Sequence, residues 1–280
     1  MKKVLLLAMC LTAIACQNDS VTEDVITERK VVFKVHGDGF GSPVFSRATD
    51  IATSDMTDLW LFDFVDDECV QYVHLTADDE DWANPTMTLA MGEHCICALA
   101  SRGDNPVLDE DAQTVTWSMP RDAFWADKIV TVEQSTSAVS IAVDRVVTKL
   151  RIAVTDEVPA KAASISATMA KRYYGINYWT GAPASEQVKE QTITIPTNYV
   201  GTSGQLAFAF FSVSSKAEWT TNVTVTSADA SGNPISSVII SGAPFKANRA
   251  TEYSGRLFGE DAGMSITLND TWDDTYTATW

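Results

Sequence analysis

The chain has 280 residues, 45% of them hydrophobic, and its mean hydropathy is -0.03; these values are typical of a globular protein and exclude wholesale disorder. A formal net charge of -17 repels phosphate backbones and anionic lipid, which argues against a nucleic-acid partner. The length suits two domains of ordinary size, each able to bury its own core.

The start of the chain has the pattern of a secretory signal. A short cationic stretch precedes an apolar run that is too short to span a bilayer about 30 Å thick. The run ends in Ala13-Ile14-Ala15-Cys16, which resembles a bacterial lipobox and implies cleavage between Ala15 and Cys16. We expect residues 1–15 to be a signal peptide, residues 16–29 a linker, and lipid on Cys16 to hold the chain at the outer membrane of a Gram-negative cell. The alternative is an ordinary signal peptide in which Cys16 is incidental.

The next part of the chain alternates apolar and polar residues over short runs, which is the pattern of half-buried β-strands. Asp58–Phe64 is apolar on both faces, as in a strand that is covered on both sides. An acidic turn follows it, and Cys69–Leu75 returns as its hairpin partner. We expect Ser118–Asp127 to be a connection or a short helix. The strands expected here are Lys30–His36, Asp58–Phe64, Cys69–Leu75, Thr86–Met91, Glu93–Ala100, Gln113–Trp117 and Lys128–Val132.

A long β-branched run lies at mid-chain. Its alternation slips at Asp144-Arg145 and resumes from Val146 to Val154. A slip of this kind indicates either a bulge or a crossing between two sheets. We interpret the run as the first strand of a second domain, which divides the chain into residues 30–135 and 136–280. The alternative is one long strand inside a single large sandwich.

The last part of the chain continues the same pattern. Ile165–Arg172 is expected as a strand or a helix, and Tyr173–Pro183 as an aromatic loop rich in glycine. Many short strands with frequent turn signals and little helical periodicity predict an all-β fold built from β-sandwiches. The further strands expected are Gln191–Ile195, Gln205–Val213, Asn222–Thr226, Ile235–Ile240, Tyr253–Phe258 and Met264–Leu268.

The sequence carries no recognised catalytic motif. Its three histidines lie in separate strands, and it has no nucleophile elbow, zinc-protease, Walker or dinucleotide-binding pattern. The acidic runs Asp66–Glu68 and Asp78–Asp81 lack the ligand order of a calcium loop. We therefore expect no enzyme activity, no cofactor and no metal site.

Two groups of side chains leave alternatives open. Cys69, Cys95 and Cys97 make a set of three. An odd number of cysteines cannot all pair within one chain, which argues against a complete disulfide framework. Either Cys69 pairs with one of the other two, or Cys95 and Cys97 are small buried hydrophobes. A set of aromatic residues offers flat faces that could stack on sugar rings, or that could pack on their own domain. This set is Tyr173, Tyr174, Tyr178 and Trp179.

Four segments, in their order and spacing, resemble the fimbrillins, the FimA- and FimB-type subunits and anchors of type V pili in Gram-negative gut and oral anaerobes. The segments are the lipobox at Cys16, Ser46–Thr49 ahead of the strand Asp58–Phe64, Val143–Arg151 at mid-chain, and Lys246–Phe258 followed by Met264–Trp272. The resemblance covers the whole mature chain. It implies two transthyretin-like β-sandwich domains in tandem and a place in a surface-exposed fimbrium.

The resemblance also implies a mode of assembly. In stalk subunits of that family a trypsin-like protease cuts after an Arg behind the first strand, and a neighbour's C-terminal strand replaces the strand that is lost. On this chain the cut matches Arg47-Ala48, the strand removed matches Val31–Val35, and part of the donor matches Asp273–Trp280. The implied partners are other pilin subunits, identical or different, with an unknown target on a host or bacterial surface. The alternative function is a surface lipoprotein that binds glycans without polymerising.

Overall fold

The computed structural model describes residues 27–37, 49–50, 55–204, 206–259 and 262–269. No helix within these ranges is long and apolar enough to cross a membrane. The residues expected to carry signal cleavage, lipid, proteolytic processing and strand donation lie outside the described residues: Ala15, Cys16, Arg47, Ala48 and Asp273–Trp280.

The described residues form an all-β fold, which confirms the predicted fold class. A short 3₁₀ turn at Thr197–Tyr199 accompanies the strands. In chain order the strands are β1 Glu28–Gly37, β2 Thr49–Asp50, β3 Asp58–Val65, β4 Glu68–Thr76, β5 Thr86–Ala90, β6 Gly92–Asp104, β7 Val107–Asp109, β8 Thr114–Thr116, β9 Met119–Val132, β10 Ala138–Arg145, β11 Val147–Val154, β12 Ser164–Asn177, β13 Pro183–Thr194, β14 Leu206–Val213, β15 Trp219–Ala228, β16 Pro234–Phe245, β17 Ala250–Arg256 and β18 Gly263–Asn269.

The strands are arranged in three sheets. The first sheet has the order β2-β1-β10-β9-β6-β3-β4, with β5 added along β1. The second sheet has the order β14-β11-β17-β18, and the third has the order β16-β15-β12-β8-β7, with β13 added along β12. The first sheet folds back on itself at β10, which pairs with β1 over Ala138–Val143 but with β9 only at Asp144 and Arg145.

The first hydrophobic core lies inside this folded sheet. Strands β1, β5 and β10 cover it on one side, and β3, β6 and β9 on the other. Successive side chains of a strand point to opposite faces, so Val31, Phe33 and Val35 all point inward, where each has no exposed area. They pack in one cluster with Leu59 and Leu61 of β3.

A second core fills the space between the second and third sheets. Leu150 and Ile152 of β11 and Phe208 of β14 pack there with Val223 and Val225 of β15. Two layers of strands thus enclose each of the two cores, which is a β-sandwich-like arrangement.

A third apolar cluster joins the first sheet to the strands of the other two. Trp60, Phe62 and Phe64 leave β3 on the face opposite to the first core, and they pack with Tyr178 and Val213. This contact explains why the Asp58–Phe64 run is apolar on both faces, as the sequence predicted.

The mid-chain run changes sheets at Val146. Strand β10 belongs to the first sheet, whereas β11 pairs with β14 and β17 in the second. Val146 connects the two, because its N–H donates to the Ala123 carbonyl at 2.9 Å and its own carbonyl accepts from Ser214 N–H at 2.8 Å. Of the two alternatives, bulge or crossing, the structure confirms the crossing.

Two local predictions are wrong and a third alternative is settled. Ser118–Asp127 lies largely in β9, which passes between the first core and the third cluster; both of its faces are apolar there, so the period of two is lost. The loop predicted at Tyr173–Pro183 is wrong over Tyr173–Asn177, which completes β12; residues 178–182 form the turn, and Pro183 begins β13. Ile165–Arg172, left open between strand and helix, is strand.

Strands pair across the predicted division at residues 135 and 136 in both directions. Strand β10 follows the division but pairs with β1 and β9, whereas β8 precedes it and pairs with β12. The division into residues 30–135 and 136–280 therefore stays a prediction.

Candidate functional site

Strand β1 is the earliest described strand of the chain, yet it lies in the interior of its sheet. It pairs in parallel with β10 on one edge, and antiparallel with β5 and β2 on the other. Its three inward side chains, Val31, Phe33 and Val35, have no exposed area. Removal of β1 would therefore expose two rows of backbone groups and an apolar groove between them.

Strand β5 depends on β1 for its ladder of backbone hydrogen bonds, since β1 is its partner strand in the first sheet. Phe33 N–H donates to the Pro85 carbonyl at 2.8 Å, and Met91 N–H donates to the Thr27 carbonyl at 3.0 Å. Backbone groups of successive residues point to opposite edges of a strand, so the carbonyls of Thr88 and Ala90 point away from β1.

Two polar side chains, Gln71 and His94, reach that outer edge of β5, and Asp63 lies against both of them. His94 Nδ1 lies 2.7 Å from Asp63 Oδ1, and His94 Nε2 lies 3.0 Å from the Ala90 carbonyl oxygen. Gln71 Nε2 donates to Asp63 Oδ2 at 3.0 Å and to the Thr88 carbonyl at 2.9 Å. The side chains of His94 and Asp63 are 3% and 0% exposed. We call Asp63, Gln71 and His94 the β5 clamp.

No pattern in the sequence predicted the β5 clamp. The one hint in the sequence was His94. In the strand Glu93–Ala100 it lies on the face opposite to Cys95 and Cys97, and the other residues of its face are apolar. Asp63 and His94 come together only through the pairing of β3 with β6, in which Asp63 lies opposite Ile96.

The four aromatic residues assigned to glycan contact lie where the first sheet meets β12. Tyr178 stacks on Phe62 with ring centroids 3.9 Å apart, and Trp179 packs on Phe64 at 4.1 Å. Tyr174 and Tyr178 are each 2% exposed, so a sugar ring has no access to them, and their assignment as glycan contacts is corrected. Burial, followed by the nearby Cys69 and Glu110, raises the pKa of Tyr178 to about 12.

Tyr173 and Trp179 are half-buried. The Tyr173 ring meets the edge of Trp219 with centroids 5.6 Å apart. These two residues also pack on their own chain, which is the alternative that the sequence left open.

A tight turn holds Tyr178 and Trp179 against the first sheet. Asn177 Oδ1 accepts from Thr180 N–H at 2.8 Å, and Trp125 Nε1–H donates to the Tyr178 carbonyl at 2.9 Å. Gly181 has a φ of 69°, and a Cβ atom there would lie 2.5 Å from Cε3 of Trp125. The turn therefore needs glycine both for its backbone conformation and for its close approach to the indole.

We expect Gly181→Ala to lower the free energy of unfolding by about 2–4 kcal/mol, from left-handed strain and from overpacking against Trp125. Urea denaturation measures the loss. Gly201→Ala is the matched control, because Gly201 has a φ of 76° with nothing within 4 Å of its Cβ position. The control carries the strain without the clash, so an equal loss in both variants would contradict the proposed role of the indole contact.

A buried ion pair lies where the chain changes sheets. Arg145 Nε and Nη2 donate to the two Asp122 carboxylate oxygens, each at 2.9 Å. Both side chains are 4% exposed. Arg145 Nη1 also donates to Asn248 Oδ1 at 3.2 Å, and the guanidinium carbon lies 4.7 Å from the centroid of the Phe124 ring. The pair thus ties β9 and β10 to the loop between β16 and β17.

The three cysteines within the described residues, Cys69, Cys95 and Cys97, are free thiols. Cys69 and Cys95 pair with Phe64 from opposite sides, so two strand spacings of about 4.8 Å separate them, beyond the reach of a disulfide. Cys97 is buried and directs its thiol toward the Trp179 carbonyl, with Sγ 3.7 Å from the oxygen. Burial raises the pKa of all three thiols.

We expect Cys69, Cys95 and Cys97 to be alkylated in unreduced, denatured protein, and Cys97 to react slowest in native protein because burial suppresses its thiolate. Peptide mapping by mass spectrometry measures both. Protein reduced before alkylation is the control. A disulfide-linked peptide pair among these three cysteines in the unreduced sample would contradict the expectation.

The acidic runs form turns. Asp66 and Asp67 have φ values of 50° and 67° and make the two-residue connection of the β3–β4 hairpin. Asp79 Oδ2 accepts from Thr76 N–H at 2.6 Å. Within the part of the chain that the structure describes, no group of three or more His, Cys, Asp or Glu side chains is placed to hold a metal ion.

Comparison with known proteins places the chain in a family. A family model described as "Family of unknown function (DUF6562)" matches residues 107–280, more than half of the chain, and the chain belongs to that family. The match begins at the first residue of β7. A search of the curated proteins found no match to this chain.

Solved structures share its fold. A candidate adhesin from Bacteroides thetaiotaomicron has a TM-score of 0.55 at 10% identity, over 87% of this chain and 96% of that chain. A candidate polysaccharide-binding protein from the same organism has a TM-score of 0.57 at 9% identity, over 86% and 96%. The fimbrial anchor protein Mfa2 from Porphyromonas gingivalis has a TM-score of 0.53 at 11% identity, over 86% and 98%. At these identities the likeness shows a common fold.

Proposed function

We propose that the chain is a structural or adhesion subunit of a cell-surface fimbria, as stalk, tip or anchor, exported as a lipoprotein and assembled by exchange of strand β1. The observation that carries the proposal is the interior position of this early strand, with backbone partners on both edges. Each fully buried valine or phenylalanine contributes about 1.5–3 kcal/mol, so a vacated groove would favour any strand that refilled it. A replacement strand would restore the backbone pairing by β-augmentation.

The shared fold supports the same class of role. A fimbrial anchor and a candidate adhesin match 86% and 87% of this chain. These neighbours are named as adhesion and fimbrial proteins and not as enzymes, which supports a surface location and a non-enzymatic function. The finer assignment to FimA- or FimB-type subunits belongs to the proposal and rests on the sequence resemblance.

Two further segments complete the proposed exchange. Cleavage between Arg47 and Ala48 would cut the covalent link between β1 and the rest of the chain. In Asp273–Trp280, Tyr276, Ala278 and Trp280 alternate with threonines. Tyr276, Ala278 and Trp280 are spaced by two positions, as are the inward side chains Val31, Phe33 and Val35.

Cleavage followed by strand uptake tests the proposal. The full chain is cut after Arg47 and mixed with a labelled peptide that copies Asp273–Trp280. We expect the peptide to enter the groove and the β1 fragment to be released, and concentrated cleaved protein to form polymers detectable by light scattering. Uncut protein and a peptide with serine at positions 276, 278 and 280 are the controls. Cleaved protein that stays monomeric and takes up no peptide would overturn the proposal.

The mass of the mature N-terminus in the native cell envelope separates the roles within the fimbria. A chain that begins at acylated Cys16 and keeps Val31–Val35 is an anchor or a plain surface lipoprotein. A chain that begins at Ala48 has lost both lipid and first strand, and is a polymerising subunit. Detection of acylated Cys16 also tests the proposed location in the outer membrane.

A further inference from the structure

We infer that the β5 clamp, formed by Asp63, Gln71 and His94, holds β5 in place as one wall of the β1 groove, so that the groove keeps its shape when no strand occupies it. The inference rests on the function proposed above, because it concerns the groove that β1 fills. It assigns these three residues a positioning role for an incoming strand.

The first step is the isolation of β5 once β1 has left. Strand β10, the opposite wall, keeps its pairing with β9 at Asp144 and Arg145 and its covalent connection to β11 through Val146. Strand β5 has β1 as its ladder partner in the first sheet. Without β1, it keeps the inward packing of Met87 and Leu89 and the side-chain hydrogen bonds on its outer edge.

The second step is that the clamp stands independently of β1. Asp63 lies on β3, Gln71 on β4 and His94 on β6, and β3 pairs along its length with β4 on one edge and with β6 on the other. The clamp residues therefore stay in position when β1 is absent.

The third step is that the clamp needs β5. Polar groups buried next to an apolar core are costly unless they are hydrogen-bonded. His94, whose side chain is 3% exposed, has the Ala90 carbonyl as the partner of its Nε2, and the half-buried Gln71 donates to the Thr88 carbonyl at a more exposed contact. Movement of β5 away from the clamp would break both contacts, so the clamp and β5 hold each other in place.

A wall held in this way selects the strand that binds. The incoming segment must be extended, run parallel to β10, and place apolar side chains at three alternate positions. Val32 N–H donates to the Ser137 carbonyl at 3.0 Å and Phe33 N–H to the Pro85 carbonyl at 2.8 Å. Proline at either equivalent position would remove a donor, so the site excludes it there. A groove shaped in advance binds more tightly, because less order is lost on binding.

The test uses the full chain, cleaved at a protease site engineered into residues 38–46 and labelled on the β1 fragment. Dilution of the cleaved protein gives the Kd between the fragment and the rest of the chain. We expect Gln71→Ala to raise this Kd about 3–10-fold, as for the loss of one hydrogen bond. His74→Ala is the matched control, since His74 is also on β4 and contacts a β3 aspartate, Asp58, at 3.0 Å, with no contact to β5.

A purely structural role for Gln71 would lower the stability of the uncut chain and leave the Kd unchanged. Equal Kd values for Gln71→Ala and His74→Ala would therefore overturn the inference. Hydrogen exchange of residues 85–91 in strand-free wild-type protein provides a second measurement that needs no variant. We expect protection to persist there, and exchange as fast as in an unfolded segment would also overturn the inference. Failure of the wild-type fragments to reassociate would instead overturn the proposed function.

Discussion

We expect the Asp122→Ala variant to unfold with a free energy lower by about 3–5 kcal/mol, because breaking a buried ion pair leaves a charge in a poorly solvated site. Arg145 would lose both of its 2.9 Å hydrogen bonds to the carboxylate. The effect is large because both side chains are 4% exposed, so water cannot replace the lost oxygens without opening the crossing. Urea denaturation followed by tryptophan fluorescence measures the change.

Two controls separate burial from charge. The double variant Asp122→Leu/Arg145→Met removes both charges together, and we expect it to recover most of the loss, since apolar replacements of buried pairs are often neutral. Asp144→Ala breaks the neighbouring exposed pair with Lys216, whose side chains are 68% and 80% exposed, and should change little. A double variant as unstable as Asp122→Ala would show that the geometry of the crossing, and not an unbalanced charge, sets the cost.

We expect Phe33→Ala to lower the free energy of unfolding by about 3–5 kcal/mol in the uncut chain, as for other fully buried phenylalanines. In the cleaved chain the same free energy is lost from the binding of the β1 fragment to its groove. The Kd of the β1 fragment should then rise more than about a hundredfold, since each 1.4 kcal/mol is a factor of ten. Dilution of the labelled, cleaved protein measures it.

Phe208→Ala is the matched control for this prediction. Phe208 is 1% exposed and lies in the second core, away from β1. We expect it to destabilise the uncut chain by a similar amount while leaving the Kd of the β1 fragment near the wild-type value. If Phe33→Ala left that Kd unchanged, β1 would not be held by its inward side chains, and the groove would lose its part in the proposed exchange.

Local pattern was enough to predict several elements. Val31, Phe33 and Val35 alternate with exposed or half-buried residues in β1, and the structure places all three in the first core. Asp66-Asp67 marks a hairpin turn because aspartate tolerates the left-handed conformation that both residues adopt. The slip at Asp144-Arg145 indicated either a bulge or a crossing, because charged residues interrupt an otherwise regular alternation, and the structure shows the crossing.

Other features depend on contacts that the sequence does not display. Strand β9 passes between two apolar environments, so Ala123 and Phe124 are both buried and the alternation disappears. Residues Tyr173–Asn177 resemble a loop in composition, yet they remain strand because β8 pairs with Gly175 and its neighbours. The β5 clamp joins three strands and a fourth strand's carbonyls, and no local pattern encodes that meeting.

The parallel pairing of β1 with β10 has a consequence for how the chain folds. Parallel neighbours cannot be joined by a tight hairpin, and more than a third of the chain separates Val32 from its partner Ala138. The β3–β4 hairpin can form from local contacts, whereas β1 must wait until β10 is available. If the chain is exported from its N-terminus, as proposed, β1 emerges first and pairs late. Contacts that form after the transition state change the unfolding rate and leave the refolding rate almost untouched. Phe33→Ala should accordingly refold at the wild-type rate and unfold faster.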